Sequence, residues 1–467
     1  MGIVQPQAAR RASRALIKDL GRIVGKDAVR AAPGELLVFE SDGLTMYRGT
    51  PLAVVFPESE AQIVRLCKYL YPRDIAFVAR GAGTGLSGGA VSDGAVILET
   101  SRMNRILEID AANRRARVQP GVPNAALSAA AAAHGLQYAP DPSSQVACTL
   151  GGNVAENSGG PHCVKYGVTV NHVLGLRVVL PDGEAVDLTG PEDPGYDLVG
   201  LFVGSEGTFG IAVEIDLRLV PLPEATATIL AHFDDVTMAS RAVSAIIARG
   251  IVPAALEMVD RETIRAVEAS IYAAGFPTDV AASLIVELDG ARAGVEEDAG
   301  RVEAILGEHA AREVRRARDE DERSKFWQAR KKAFGAMGRL APDLLVQDAT
   351  VPRSKLPEVL DRVYAIAQAH GLTVTNVFHA GDGNLHPNIP FDRRDADELA
   401  RVRAASHEMM EACVAAGGTI TGEHGVGLDK RQYMRLVYSD DDLDAQRAVK
   451  RAWDPKGLCN PGKVLPE

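Results

Sequence analysis

The sequence predicts an α+β protein in two parts, the second built on a mostly antiparallel sheet with helices on one face. Three observations lead there. At roughly 150 residues per domain, 467 residues allow two or three domains. From Pro51 to Val220, short apolar runs bounded by glycine, proline and aspartate outnumber helical patterns. Beyond Pro221 and Pro223, strands alternate with amphipathic helices. The expected boundaries are 1–46 for an N-terminal helical segment, 47–222 for the first domain and 223–467 for the second, with the last residues returning to the first.

The N-terminus carries Arg10, Arg11, Arg14, Lys18 and Arg22 without an apolar core segment, so it reads as a basic amphipathic helix and not as a secretory signal. A strand over 52–56 precedes a helix from Ser59, where Gln62 three residues on forms a capping-box pattern. A strand over 75–79, a glycine-rich loop and a strand over 95–99 come next. The runs 106–109 and 115–118 read as a hairpin. A helix then starts near Pro123 and stops before Gly135. Residues 139–170 show no period. Strands over 173–180, 183–188 and 208–220 close the first part. The second part reads as strands over 226–233, 254–259 and 282–288 and helices over 236–249, 261–273 and 293–309. From about residue 342 come a strand, a helix over 354–370, a strand over 373–378 and a helix over 394–416. The closing segment from Asp454 to Lys463 is turn chemistry.

Composition excludes several classes. Apolar residues at 46% and charged residues at 24% are those of a globular protein, not a disordered or fibrous one. A formal charge of −11 is a poor match for a phosphate backbone. No window approaches the ~18 apolar residues of a membrane span. The five cysteines form no CxxC pair, so no zinc finger or iron–sulfur cluster is expected, and the thiols should be reduced, in a cytoplasmic setting.

Gly83-Thr-Gly-Leu-Ser-Gly88 has the spacing GxGxxG, but the turn-rich stretch from Gly89 to Gly94 cannot open a helix and leads into a strand. A dinucleotide fingerprint needs strand, loop and helix, so that reading fails. The five glycines of 81–89 instead suit a nest of backbone N–H groups around a phosphate, with Thr84 and Ser87 adding hydroxyls. His379 and His386 flank a segment with glycines at 381 and 383, which let the chain curl and bring both imidazoles together. Glu423 and His424 sit in another glycine-flanked turn. Two imidazoles and a carboxylate suit Zn²⁺ or Mn²⁺, although loop histidines that only hydrogen-bond fit the spacing too. Asn384 is a candidate hydrogen-bond partner for a substrate or a metal-bound water.

Arg80–Ala90, Pro140–Gly160, Gly204–Gly210, Val377–His386, Gly422–Gly425 and Asn460–Lys463 resemble, in that order, motifs of the vanillyl-alcohol oxidase/p-cresol methylhydroxylase flavoproteins, and among them the glycolate oxidase and D-lactate dehydrogenase-like members. The resemblance runs from about residue 35 onward. It implies a PCMH-type FAD-binding domain of two α+β subdomains followed by a substrate domain. Arg80, Gly81, Gly83, Thr84, Gly85, Ser87 and Gly88 would hold the pyrophosphate. Pro140, Asp141, Ser144, Gly151, Gly152, Asn153, Asn157, Ser158 and Gly159 would line the ribityl chain and ring. Glu206, Gly210 and Ile211 would serve the adenosine side, and Asn460 would also meet the cofactor. No histidine lies between residues 72 and 133, so FAD would not be covalently held in that loop. His162 comes just after the second glycine cluster, either near the ring or as a plain loop histidine.

The resemblance further implies that His379, His386 and Glu423 bind a divalent metal, that His424 is the catalytic base and that Arg330 holds the substrate carboxylate. Read without it, Arg330 would be a solvated helix arginine. Phe334 and Val346 stand where dicarboxylate-using relatives carry polar groups, which favours a small monocarboxylate. The implied reaction is FAD-dependent oxidation of glycolate or D-lactate to the 2-oxo acid, with metal-assisted proton abstraction and hydride transfer to flavin N5. A quinone or a carrier would accept the electrons. Iron–sulfur and second flavin-domain subunits would be partners and could hold the protein at a membrane. The alternatives are a quinone- or cytochrome-linked D-lactate dehydrogenase and a flavin scaffold without chemistry.

Overall fold

A computed structural model of the chain describes residues 12–190 and 194–466. Arg10 and Arg11 of the expected basic helix lie outside the described residues. The chain divides into two units. Unit 1 takes in the N-terminal part to Gly159, Val168–Leu222 and the segment from Glu423 on; unit 2 comprises Gly160–Gly167 and Pro223–Gly422.

Helix α1 (Arg14–Val24) opens unit 1, capped by Ser13, whose Oγ accepts the Leu16 N–H. Its apolar stripe of Leu16, Leu20 and Val24 is buried, while Arg14, Lys18 and Arg22 face solvent. Strand β1 (Val29–Arg30), the short helix α2 (Pro33–Leu36), β2 (Ala53–Val55), α3 (Glu60–Leu70), β3 (Phe77–Arg80) and β4 (Val96–Glu99) come after it. They form a four-stranded sheet in the order β1-β2-β4-β3, in which β2, β4 and β3 are parallel. The central strands are buried throughout, as a parallel sheet requires. At the start of α3 the expected box does not form: Gln62 Oε1 accepts the N–H of Glu58, one residue before the cap, at 2.7 Å, and the Ser59 side chain makes no cap bond.

Next come β5 (Ile106–Asp110), β6 (Arg115–Val118), α4 (Asn124–Ala132), β7 (Leu136–Gln137), α5 (Leu150–Glu156), then α6 (Cys163–Tyr166), which belongs to unit 2, and again in unit 1 β8 (Val173–Val179), β9 (Ala185–Thr189), α7 (Leu198–Phe202), β10 (Ile211–Arg218) and β11 (Val220–Pro221). The antiparallel sheet β5-β6-β10-β8-β9 packs its apolar face on α4, α5 and α7. Helix α5 lies in the stretch where the sequence shows no period. Seven residues are too few to establish one, and its second residue, Gly151, is glycine because a Cβ there would meet Pro120 at 2.5 Å.

In unit 2 the elements are β12 (Ala225–Phe233), α8 (Val236–Ala248), β13 (Ala255–Asp260), α9 (Arg261–Glu268), β14 (Ala282–Gly290), α10 (Arg292–Glu308), β15 (Glu313–Arg316), α11 (Glu320–Lys331), α12 (Ala333–Met337), β16 (Asp343–Val346), β17 (Ala349–Thr350), α13 (Leu356–Ala369), β18 (Thr375–His379), β19 (Asn384–Leu385), β20 (Pro387–Phe391) and α14 (Ala396–Ala415). The main sheet runs β15-β12-β14-β13-β18-β19-β17, all antiparallel, with β20 joining β18 to β16. Helices on one face alone do not describe it. Strand β13 is buried at every position and β12 from Ala227 on, so both faces are covered. Helices α9, α11 and α12 pack on Leu230, Val259, Ile285 and Val377, and α8 and α10 contact β12 and β14.

The last segment returns to unit 1 with α15 (Met434–Val437) and α16 (Asp440–Trp453). Beyond them Cys459 extends the first sheet: the Phe77 N–H donates to Leu458 O at 2.9 Å and the Asn460 N–H to Phe77 O at 2.8 Å. All five cysteines are free thiols, and burial pushes Cys67 and Cys413 up to about 12.

Candidate functional site

The glycine loop of unit 1 lies between β3 and β4. Gly83 and Gly88 adopt φ of +67° and +78°, which suits residues without a Cβ. A Cβ on Gly81 would fall 2.3 Å from Thr149 Oγ1, whereas Gly85 has open space around that direction. The buried Ser87 hydroxyl has no partner among the described residues, which suits a loop that binds an anion. Thr84 contributes its carbonyl to the wall against Gly43. Arg80 plays a different part. Its guanidinium donates to Ser41 O at 2.9 Å and to Ala90 O at 3.3 Å, bracing the loop from behind.

The second glycine segment is similarly held from within. Asn153 Oδ1 accepts from Asn124 Nδ2, which also donates to Pro140 O, each at 3.0 Å. Ser144 O accepts the Ala147 and Cys148 N–H groups. Asn157, at φ +51°, ends α5 and accepts the Val170 N–H, and Ser158 O accepts from Thr169. Gly152 N–H bonds Thr149 Oγ1. Gly159 is buried beside them, at the edge of unit 1, and Asp141 is half-buried.

Glu206 holds backbone rather than lying free. At φ +53° its carboxylate accepts the Val426 N–H at 2.6 Å and the Gly427 N–H at 2.7 Å, so it fixes the turn that carries Glu423 and His424. Burial raises its carboxyl against the pull of those two N–H groups, and the buried Glu156 raises further still, by desolvation and by Glu206 itself. Gly425 has to be glycine, because a Cβ would strike both carboxylates. Gly210 approaches Val179 O too closely for a side chain, Ile211 is core, and Asn460 Nδ2 bridges Gly89 O and Glu206 O. Most of the expected flavin set is therefore held by hydrogen bonds and close contacts within unit 1, and among it the buried Ser87 hydroxyl is without a partner among the described residues.

Unit 2 holds the other half of the expected residues. His379 ends β18 opposite Asn384, and the turn Ala380–Gly383 brings His386 back, leaving the two imidazole centres 5.3 Å apart. Gly383 takes φ +81°, with a Cβ excluded by Val351 O. His379 Nδ1 lies 2.7 Å from Glu257 Oε1, and His386 Nδ1 lies 3.2 Å from Gln347 O. Carboxylate and carbonyl only accept, so both Nδ1 atoms donate, and each ring in its neutral form would offer Nε2 as a ligand atom. Asp348 is buried, with Oδ1 3.8 Å from His386 and Oδ2 accepting from Thr421. Asn384 Oδ1 is buried and accepts no hydrogen bond from the described residues.

Arg330 is not a solvated helix residue. It is buried on α11 and donates through Nε to Glu257 Oε2 at 2.6 Å. Burial works to raise the Glu257 carboxyl, but Arg330 and His379 together hold it below the ordinary range. One helix turn away, a second buried carboxylate, Glu287, accepts from Arg323, Trp327 and Thr228 and lies 3.3 Å from His162 Nε2. His162 also stacks on Trp327, with ring centroids 5.6 Å apart. Phe334 is partly exposed and Val346 buried.

Two family descriptions match: "FAD binding domain" over residues 51–189 and "FAD linked oxidases, C-terminal domain" over residues 222–464. The chain belongs to the FAD-linked oxidases. It is 48% identical to the glycolate oxidase subunit GlcD of Escherichia coli (strain K12), over 92% of this chain and 87% of the relative. It is 42% identical to the GlcD subunit of Bacillus subtilis (strain 168), over 92% of each chain. Among solved structures, p-cresol methylhydroxylase with substrate bound superposes with a TM-score of 0.82 at 16% identity, covering 97% of each chain, and shows the fold alone. This FAD-linked oxidase therefore carries the PCMH-type fold that its sequence motifs imply, and FAD is its cofactor.

Sequence reading missed Glu257, Gln347 and Asp348 in this FAD-linked oxidase. Glu257 left a signal, a lone carboxylate in the apolar run Ala254–Val259. Gln347 acts through its backbone carbonyl, which no side-chain pattern reports. Among the described residues no helix is long and apolar enough to cross a membrane.

Proposed function

We propose that this FAD-linked oxidase oxidises glycolate or D-lactate to the corresponding 2-oxo acid and passes the electrons to an external acceptor. The observation that carries the reading is the pairing of Arg330 and His379 on one buried carboxylate, next to His386, in a chain whose relatives are named glycolate oxidase subunits and D-lactate dehydrogenases. Noncovalently bound FAD supplies the acceptor for a hydride. A divalent ion, Zn²⁺ or Mn²⁺, would supply Lewis acidity, and His379, His386 and Glu423 would hold it. Nε2 of each imidazole, in the neutral form, would suit such an ion. Gly422, just before Glu423, has to be glycine, because a Cβ there would meet the Asn384 amide at 2.4 Å.

The terminal nitrogens of Arg330 suit a substrate carboxylate as a bidentate fork. Asn384 would orient the hydroxyl, and His424 would take the hydroxyl proton on its imidazole. Phe334 and Val346 offer nothing to a second carboxylate and limit the substrate to a short chain. Reduced flavin needs an outlet, and no CxxC or other iron–sulfur pattern occurs in the sequence, so an iron–sulfur subunit, a second flavin-domain subunit, a quinone or a carrier would receive the electrons, at a membrane surface if partners hold it there.

Anaerobic titration with glycolate, D-lactate and L-lactate, followed by flavin absorbance, tests the reading. Bleaching by glycolate or D-lactate supports it, and the ratio of the two rates ranks the substrates. A yellow protein that none of the three bleaches, but dithionite does, would overturn it and favour a scaffold.

A further inference from the structure

Helix α11 aims three side chains at two buried carboxylates on adjacent strands. Arg323 and Trp327 reach Glu287 on β14, and Arg330 reaches Glu257 on β13. The register sets Ala255 opposite Glu287, so the two acids sit two residues apart along the sheet. They are matched in burial and in helix partner, but not in what else they touch. Glu287 takes Thr228 and His162. Glu257 spends its second oxygen on His379 Nδ1.

We infer that Glu257 is a positioning residue that aims both the metal and the substrate groups of this oxidase: one oxygen fixes the His379 tautomer and ring, and the other fixes the plane of the Arg330 guanidinium. The inference rests on the proposed roles of His379 and Arg330 and adds a residue and a coupling to them. Because Glu257 binds Arg330 through Nε, the two terminal nitrogens face away from it together, as a carboxylate fork requires. On the other side, a carboxylate behind a ligating histidine raises the basicity of Nε2 and holds the ring in line. Both demands fall on one rigid group, buried at 0% exposure on a central strand paired on each side, Ala255–Asp260 with β14 and Glu257–Val259 with β18. Misaiming the carboxylate therefore costs metal and substrate together.

The test uses the FAD-loaded protein, stripped of divalent ions by chelation and titrated with Zn²⁺ and with Mn²⁺; in parallel, KM and kcat are measured for glycolate. Glu257→Gln should weaken metal binding by about 10- to 100-fold and raise KM for glycolate more than it lowers kcat. Because that variant leaves a buried Arg330 charge without its counter-ion and could fail to fold, the double variant Glu257→Leu/Arg330→Met replaces the ion pair with apolar side chains. It should show the same loss of metal affinity. Glu287→Gln, equally buried and attached to the same helix, should keep wild-type metal affinity while melting at lower temperature.

Metal affinity within a few-fold of wild type in both Glu257 variants would overturn the inference. So would an equal loss in Glu287→Gln, which would make the effect one of buried charge in general. A wild-type protein that binds neither ion would overturn it together with the proposed metal site. A wild-type protein that binds metal but is not reduced by glycolate or D-lactate would sink the substrate reading alone, and the metal titrations would still decide the role of Glu257.

Discussion

His424 sits in a turn clamped by Glu206, with its imidazole partly exposed beside Glu423. That placement separates binding from chemistry. His424→Ala should retain FAD and its dithionite reduction, but slow flavin reduction by glycolate by about 10²- to 10⁴-fold, the usual worth of a positioned base. An unchanged rate would remove His424 from the proton step. A second residue governs pH dependence. Burial pulls the His232 imidazole from 6.5 down to about 4. The unfolded chain therefore takes up its proton first, and stability that is complete above pH 6.5 falls as pH drops toward 4. In His232→Phe the urea midpoint should change less between pH 7 and pH 5 than in the parent. Equal slopes would assign the acid sensitivity to other groups. Arg330 marks the limit of residue-level reading: its neighbours Lys331 and Lys332 suggest solvent, and only its contact with Glu257 makes it a buried cation.

At the scale of elements, the two glycine segments behave differently from each other. The 81–89 loop stands out in the sequence because five glycines in nine residues suit an anion nest, and the strand after it rules out a dinucleotide helix. Gly85 and Gly81 can be told apart only in three dimensions. Gly85→Leu has room at its α-carbon and should give a folded protein lacking FAD, measured as absorbance at the flavin maximum against an unchanged circular dichroism melt of the apoprotein. Gly81→Leu meets Thr149 and should lower the melt itself. A fully yellow Gly85→Leu protein would contradict the pyrophosphate assignment. Helix α5 was illegible because it is too short to carry a 3.6-residue period. The sheet of unit 2 was legible as strands but not as a layer. Strands buried on both faces read as continuous apolar runs, and a run does not say how many faces are covered.

On the scale of the whole molecule, the C-terminal segment completes the first sheet. Cys459 is core, Asn460 ties Gly89 to Glu206, and Lys450 Nζ donates to Thr208 O and Cys459 O. Burial lowers the Lys463 ammonium to about 8, and its Nζ donates to Val91 O. Truncation after Asp454 should therefore destabilise unit 1 and release FAD while unit 2 keeps its own transition, seen as two separated steps by calorimetry. A single unshifted transition would mean that the tail adds nothing. By itself, the sequence determined the alternation of strands and helices and the family, and it singled out the glycine loop, His379, His386, Glu423 and His424 as candidates, because each of these leaves a local pattern of spacing or glycine. Only the tertiary structure decided that Arg80 holds the Ser41 and Ala90 carbonyls, that Glu206 holds the Val426 and Gly427 N–H groups, and that Glu257 meets both Arg330 and His379. Those roles depend on which groups meet across strands and turns distant in sequence, and a buried polar atom is defined by its partner rather than by its neighbours in the chain.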